Sequence, residues 1–197
     1  MQNRRSQIRK AAIKLFNRYG FKATSMEKIA REVGIKKGSL YAHISSKNEL
    51  LYDVFGDAIE DVNSSLKEIV KSKIPADEKL RRAIDNHIKK ELKHLDEYRL
   101  YLQERKFLPP RFEREYRRKR KINQDYIEKI VCEGKKTQIF RSDIDTKAIT
   151  FHLFGMLNWV TQWYRRSGAL SPDEISKSIC ELVFSGINLD RHIGAGR

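Results

Sequence analysis

Cysteine is scarce in this sequence, and neither residue is placed for a structural use. Cys132 and Cys180 lie far apart, with no CxxC pair and no histidine at ligand spacing. A disulfide framework and a zinc site are both excluded by that pattern, and buried free thiols are the plain reading. No run of about 18 apolar residues exists to span a bilayer. The N-terminus, MQNRRSQIRK, is basic but leads into an amphipathic pattern and not into an apolar signal core. The chain is therefore expected to be soluble and cytoplasmic, with no membrane partner. Strand patterns, internal repeats and low-complexity linkers are also missing. So are a nucleophile with a partnered base, paired carboxylates and a glycine-rich phosphate loop. No enzyme, catalytic residue, metal or cofactor is expected.

What is present is positive charge, and its location says more than its size. The formal net charge is +15 over 197 residues. Residues 1–47 carry twelve Lys and Arg against only Glu27 and Glu32, a net of ten positive charges. The rest of the chain holds 29 basic and 24 acidic residues, a net of five. A polyanion-binding head on a nearly balanced body fits this asymmetry. Charge alone does not choose between DNA, RNA and an anionic membrane.

Helical spacing recurs almost throughout, and 197 residues can bury a core without staples. Ile8, Ala11, Ala12, Leu15, Phe16 and Tyr19 fall on one face of a helix ended by Gly20. Short helices follow over about 25–33 and 37–44, then a long one over about 47–71. Pro75 marks the next break, before helices at about 77–94 and 97–107. Pro109-Pro110 separates the second of these from a helix running to about 133, where Gly134 is read as a C-cap. Two more helices are expected over about 146–166 and from Ser171-Pro172 to about 189. The fold class is all-α, with nine helices.

The stretch 24–44 carries the chemistry. Thr24-Ser25-Met26-Glu27 reads as a capping box. Met26, Ile29, Ala30 and Val33 line the inner side of a helix, Gly34 supplies a sharp turn, and Ile35 plugs the core beneath it. Lys36-Lys37-Gly38-Ser39 opens a second helix whose inner face is Leu40 and Ile44. This is the two-helix unit that lays its second helix in a major groove. Lys36, Lys37, Ser39, Tyr41 and His43 point outward, and Gly38 leaves room for close approach to a duplex. Plainer readings stand beside each: solvated charges for Lys36 and Lys37, half-buried packing for Tyr41, a helix-end charge for His43, and a mere helix start for Lys47.

The sequence TSMEKIAREVGIKKGSLYAHISSKNELLYDVF closely resembles the helix-turn-helix signature of the TetR family of regulators, over roughly residues 8–55. The resemblance implies phosphate contacts from Thr24, Lys37, Tyr41, His43 and Lys47, and positions near bases for Lys36, Gly38 and Ser39. Ala42 departs from the pattern, because the family often has an aromatic residue there. The resemblance also implies a helix-turn-helix domain over 1–46 and a ligand-binding and dimerisation domain over 47–197, with helix 47–71 connecting them. Its last two helices would form a homodimer interface. The apolar run Phe151, Leu153, Phe154, Met156, Leu157 and Trp159 agrees independently, since a helix apolar nearly all round needs cover on both sides. Val183, Gly186 and Ile187 offer a complementary surface.

The aromatics Trp159, Trp163 and Tyr164, with Tyr101, Phe107 and Phe154, are the expected lining of an effector pocket, and Arg105 is a further candidate. Core or dimer packing is the competing reading for any one of them. The segments FGMLNWVTQWYRRSGALSPDEI and YLQERKFLPPRFEREY resemble TetR-type regulators of fatty-acid degradation. That resemblance implies an apolar tunnel for an acyl chain and basic residues for coenzyme A phosphates. Seven of the eleven residues from Arg111 to Lys121 are cationic. They read as a solvated helix face, as a coenzyme A phosphate site, or as an added contact to DNA backbone. The expected protein is a repressor bound to a double-stranded operator and released by a small-molecule effector, a long-chain acyl-CoA. The alternatives are a multidrug-type repressor sensing another apolar ligand, a helical enzyme acting on acyl-CoA or nucleotides, and a non-specific nucleic-acid packaging protein.

Overall fold

The computed structural model describes residues 4–188. Among them the chain forms nine α-helices, one 3-10 turn and no strand beyond an isolated bridge between Phe140 and Asn188. The helices divide into two compact units, and α4 (Lys47–Lys71) and α7 (Pro110–Lys136) each contribute to both.

The first unit comprises residues up to Glu60 together with His94–Lys119. It holds α1 (Arg4–Tyr19), α2 (Met26–Val33), α3 (Lys37–Tyr41), the start of α4, α6 (Leu95–Glu104) with the 3-10 turn Arg105–Phe107, and the start of α7. Ile8, Ala12, Phe16, Ile29, Leu40, Ile44, Leu51 and Val54 form a continuous buried core, and Leu100, Tyr101 and Tyr116 join it from α6 and α7. The compact unit around the reading motif is thus larger than residues 1–46. Tyr19, expected on the inner face of α1, lies at its last turn and is half exposed, with Arg18 and Lys28 each 5.2 Å from its ring centroid.

The second unit comprises Asp61–Lys93 and the chain from Arg120 onward. In it, α5 (Ala76–Lys93) packs against α8 (Thr146–Trp163) and α9 (Pro172–Ile187). Leu80, Ile84, Ile88, Leu153, Leu157, Val183, Phe184 and Ile187 are buried there. Buried Lys79 on α5 reaches Glu133 on α7 at 2.8 Å. Asp145 caps α8 by accepting from the Ala148 amide, and Ser171 with Glu174 forms a complete capping box on α9.

Two local expectations are corrected. Gly134 does not end α7, which runs on to Lys136; the left-handed residue is Gln138, with φ 57°. Gly134 is buried against the ring of Phe140, which a Cβ there would overlap. The Thr24–Glu27 capping box is also not formed. Ser25 is the N-cap and accepts from the Lys28 amide at 3.1 Å, while Glu27 pairs with Arg31 at 2.6 Å. The register is one residue later than expected, so Glu27 falls one position too early to reach back to the N-cap.

Candidate nucleic-acid interface

Gly34 makes the turn between α2 and α3. Its φ of 71° lies in the left-handed region that glycine enters without steric cost, and its amide closes the end of α2 on the Arg31 carbonyl. The Ile35 amide then bonds to the Ala30 carbonyl at 3.0 Å, which turns the chain into α3. Leu40 and Ile44 are fully buried and hold that short helix by its inner edge, although it ends at Tyr41 and not near 44. The opposite edge is open. Lys36, Lys37, Gly38, Ser39, Tyr41 and His43 are all exposed, Tyr41 to 46%.

The electrostatics favour the same edge. Glu32 is bound by Lys14 at 2.6 Å and Glu27 by Arg31. The two acids of the first 47 residues are thereby consumed on α1 and α2. No described carboxylate pairs with Lys36 or Lys37, so their charge is available to a polyanion. A cationic, hydrogen-bonding helix edge with a glycine at its start can approach phosphates and base edges together.

Two residues expected at this surface are used elsewhere. Thr24 is fully buried, and its hydroxyl lies 2.9 Å from the Gly20 carbonyl and 3.2 Å from that of Leu15. A buried hydroxyl must find an acceptor, and the end of α1 supplies it. Its side chain is therefore not presented to a phosphate. The Lys47 ammonium donates to the carbonyls of Phe21 at 2.8 Å and Thr24 at 3.0 Å, and sits 4.3 Å above the Phe21 ring. Burial lowers its pKa, against the pull of Glu104. With the Lys22 carbonyl at 3.5 Å as a third acceptor, Lys47 clamps the α1–α2 turn to the start of α4.

The start of α4 shows a device that was legible but missed. In Ser45-Ser46-Lys47-Asn48-Glu49, the Ser46 hydroxyl accepts from the Glu49 amide, and the Glu49 carboxylate accepts from the Ser45 amide, both at 3.0 Å. The serine–glutamate spacing was the available signal.

Residues 8–54 match the family described as "Bacterial regulatory proteins, tetR family", and residues 73–187 match "Tetracyclin repressor-like, C-terminal domain". The chain belongs to the TetR family. It is a DNA-binding transcriptional regulator and not an enzyme. Among its relatives, the "HTH-type transcriptional repressor KstR2" of Rhodococcus jostii (strain RHA1) is 29% identical, over 93% of this chain and 91% of that protein. The "Fatty acid metabolism regulator protein" of Bacillus subtilis (strain 168) is 24% identical, over 92% and 94%. Among solved structures, AibR "in complex with isovaleryl coenzyme A and operator DNA" superposes with a TM-score of 0.79 at 22% identity, covering 92% and 98%.

The expected effector-site residues of this TetR-family chain fall into both units. In the first, the Tyr101 ring packs on Phe55 and Tyr116, with centroids 5.2 and 4.1 Å away, inside the core of the reading unit. Phe107 stacks on Phe21 at 5.9 Å, and Arg105 is exposed. In the second, Phe154 is buried edge-on to His87 at 5.6 Å, and Tyr164 is buried at the end of α8. Trp159 and Trp163 are 65% and 42% exposed on the single chain, so they do not line an enclosed pocket there.

Sequence reasoning missed His87 and Glu91, an i,i+4 pair on α5 that is buried with Nε2 and Oε1 3.0 Å apart. The pair is close but poorly aligned for a hydrogen bond. Glu91 Oε2 and Asn123 Oδ1 are likewise buried without one. No described helix is long and apolar enough to cross a membrane.

Proposed function

We propose that the protein is a dimeric repressor that holds an operator with two copies of α3 and lets go when its body binds a long-chain acyl-CoA. The observation that carries the DNA-reading part is the exposed, un-neutralised edge of α3, with Leu40 and Ile44 buried behind it. Lys37, Tyr41 and His43 contact phosphates, while Lys36, Gly38 and Ser39 approach base edges. The protein acts in the cytoplasm, where the operator is.

The dimer is supported by an apolar stripe left open on the second unit. Phe151, Gly155, Trp159 and Trp163 recur at helical spacing along α8, with Phe151 half exposed. Leu182 on α9 is 66% exposed, and a Cβ added to Gly155 or Gly186 would meet nothing. Large exposed aromatics beside glycines that permit close helix approach are the pattern of a covered face. A twofold dimer sets two recognition helices about one helical turn of DNA apart, roughly 34–36 Å or somewhat more.

The effector reading draws on relatives: one is named for fatty-acid metabolism, and AibR was solved with isovaleryl coenzyme A. Within this chain, buried Phe154 lies edge-on to His87, and the polar atoms His87 Nε2 and Glu91 Oε2 beside it on α5 are without a hydrogen bond. A ligand shifts the operator-bound state only by its differential affinity for the two conformations, typically about 1–3 kcal/mol of coupling. Within the reading unit, α6 is tied to Phe21. Its amide donates to Glu104 on α6 at 3.1 Å, and its ring carries Phe107. Helix 47–71 is the second lever.

Gel shift on DNA upstream of its own gene, with and without long-chain acyl-CoA, tests this reading. Release by acyl-CoA, but not by free fatty acid or free coenzyme A, is expected. An intact complex that another apolar compound dissolves would instead establish a multidrug-type sensor. Lys37→Ala should weaken binding to all sequences and reduce the log–log salt slope by about one.

A further inference from the structure

Six cations lie along α1, and its neighbours divide them. Arg5 pairs with Asp53 and Glu49 of α4, and Arg9 pairs with Asp57 one turn further along. Lys14 holds Glu32 of α2 at 2.6 Å, and Arg18 lies against the ring of Tyr19. Arg4 and Lys10 are exposed, and no described carboxylate pairs with either. Arg4 donates to Gln7 at 2.7 Å, which holds its guanidinium on the Gln7 side of the helix.

These two cations face one groove. Arg4, Gln7, Lys10 and Lys14 form one wall, and Glu32 and Val33 at the end of α2 form the other, around about 400 Å³ of open space. Glu32 is already bound by Lys14, so the groove keeps the positive charge of Arg4 and Lys10. Its place beside the recognition helix follows from the direction of the helices. Tyr19 at the end of α1 meets Lys28 early in α2, whereas the start of α1 lies against Val33, the last residue of α2. The turn at Gly34 follows, and Lys36 is the N-cap of α3. Three residues of chain span at most about 11 Å. The groove therefore borders the end of α3 that carries Lys36, Lys37 and Gly38. A major groove is only about 12 Å wide and is walled by phosphates. A helix that enters it by its first turn brings the groups beside that turn against the wall.

We propose that Arg4 and Lys10 grip the DNA backbone beside the stretch read by α3, which makes the α1–α2 groove a second phosphate contact. The inference rests on the reading of α3 as the recognition helix. Ile8 and Ala12 tie α1 to the same core as Leu40, so groove and recognition helix approach the duplex together. The Arg4 fork suits phosphate oxygens, and Lys10 adds a point charge. Such contacts raise affinity and hold register without reading sequence.

The test combines Arg4→Ala and Lys10→Ala in the full-length protein, with operator affinity measured by fluorescence anisotropy at several salt concentrations. The slope of log affinity against log salt should become shallower by about 0.9 per lost contact, so by about two for each chain engaged. Operator and scrambled DNA should weaken by the same factor. The melting temperature should stay that of the parent, because both side chains are exposed. Exchanging the cations, Arg4→Lys with Lys10→Arg, should keep the slope. An unchanged slope in the alanine variant overturns the proposal. So does weakening confined to the operator, which would make these residues readers of sequence. Lys37→Ala, run in parallel, separates the two failures. A shallower slope for Lys37→Ala beside an unchanged one for the double variant removes the groove contact alone, and unchanged slopes in both remove the reading of α3 with it.

Discussion

Two glycines show how neighbours decide what one side chain is worth. Gly134 lies inside α7, where alanine would normally add about 1 kcal/mol of stability through helix propensity. Here a Cβ would enter the ring of Phe140, which is itself fully buried and packed near Phe184 at 6.1 Å. Overpacking of such a site costs about 1–3 kcal/mol, so after that gain Gly134→Ala should lower stability by up to about 2 kcal/mol in chemical denaturation. An increase would mean that Phe140 can move aside. Gly38 is the opposite case, because nothing lies within 4 Å of a Cβ built there. Gly38→Ala should leave the fold intact or raise its stability by up to about 1 kcal/mol. Operator affinity should fall by about tenfold, or about 1.4 kcal/mol, because the methyl meets the duplex. Equal affinity would mean that α3 does not approach DNA through its first turn. Thr24 and Lys47 mark the limit of reading residues by family position. Nothing in their sequence spacing reveals that the end of α1 needs a hydroxyl donor, or that three carbonyls converge on one ammonium.

At the scale of elements, the helices were legible because each carries a periodic apolar face and punctuation at its ends. The stretch 47–71 is one helix as expected, Pro110 opens α7, and Ser171-Pro172 opens α9. Ends were read less well, because caps are set by atoms across the turn. Glu27 was expected to cap and instead pairs with Arg31, while Glu49, not noticed in the sequence, joins the exit of α3 to the start of α4. That joint is open to a pH test. The bond from Ser45 holds the Glu49 carboxyl below its ordinary value of 4.5, against burial and with help from Arg5 and Arg111. A carboxyl depressed by folding stabilises the native state above its ordinary range and loses that contribution as pH falls through the depressed value. Thermal stability should therefore decline as pH is lowered from about 4.5, and Glu49→Gln should flatten part of that decline. If the two acid limbs superpose, the carboxylate contributes nothing at this joint.

For the whole molecule, the recognition motif was readable because it is local: caps, turn and exposed edge all fall within about twenty residues. A lining for the expected effector was not, because such a lining depends on which faces of distant helices converge, and an aromatic residue has the same sequence signature in a core, a pocket or an interface. Trp159 illustrates this. It was expected in a pocket and stands 65% exposed on α8, in line with Phe151 and Gly155. An indole left in water beside Phe151 and Gly155 is the observation on which the proposed dimer rests. Trp159→Glu separates the possibilities. In the proposed dimer a carboxylate on this face must be desolvated without a partner, at a cost of several kcal/mol, so the parent should sediment as a dimer and the variant as a monomer. Because it leaves α3 untouched, each chain should keep its weak, salt-dependent affinity for non-specific DNA while operator affinity falls by more than about tenfold. A variant that remains dimeric with full operator affinity would overturn the assignment of this face to the proposed dimer.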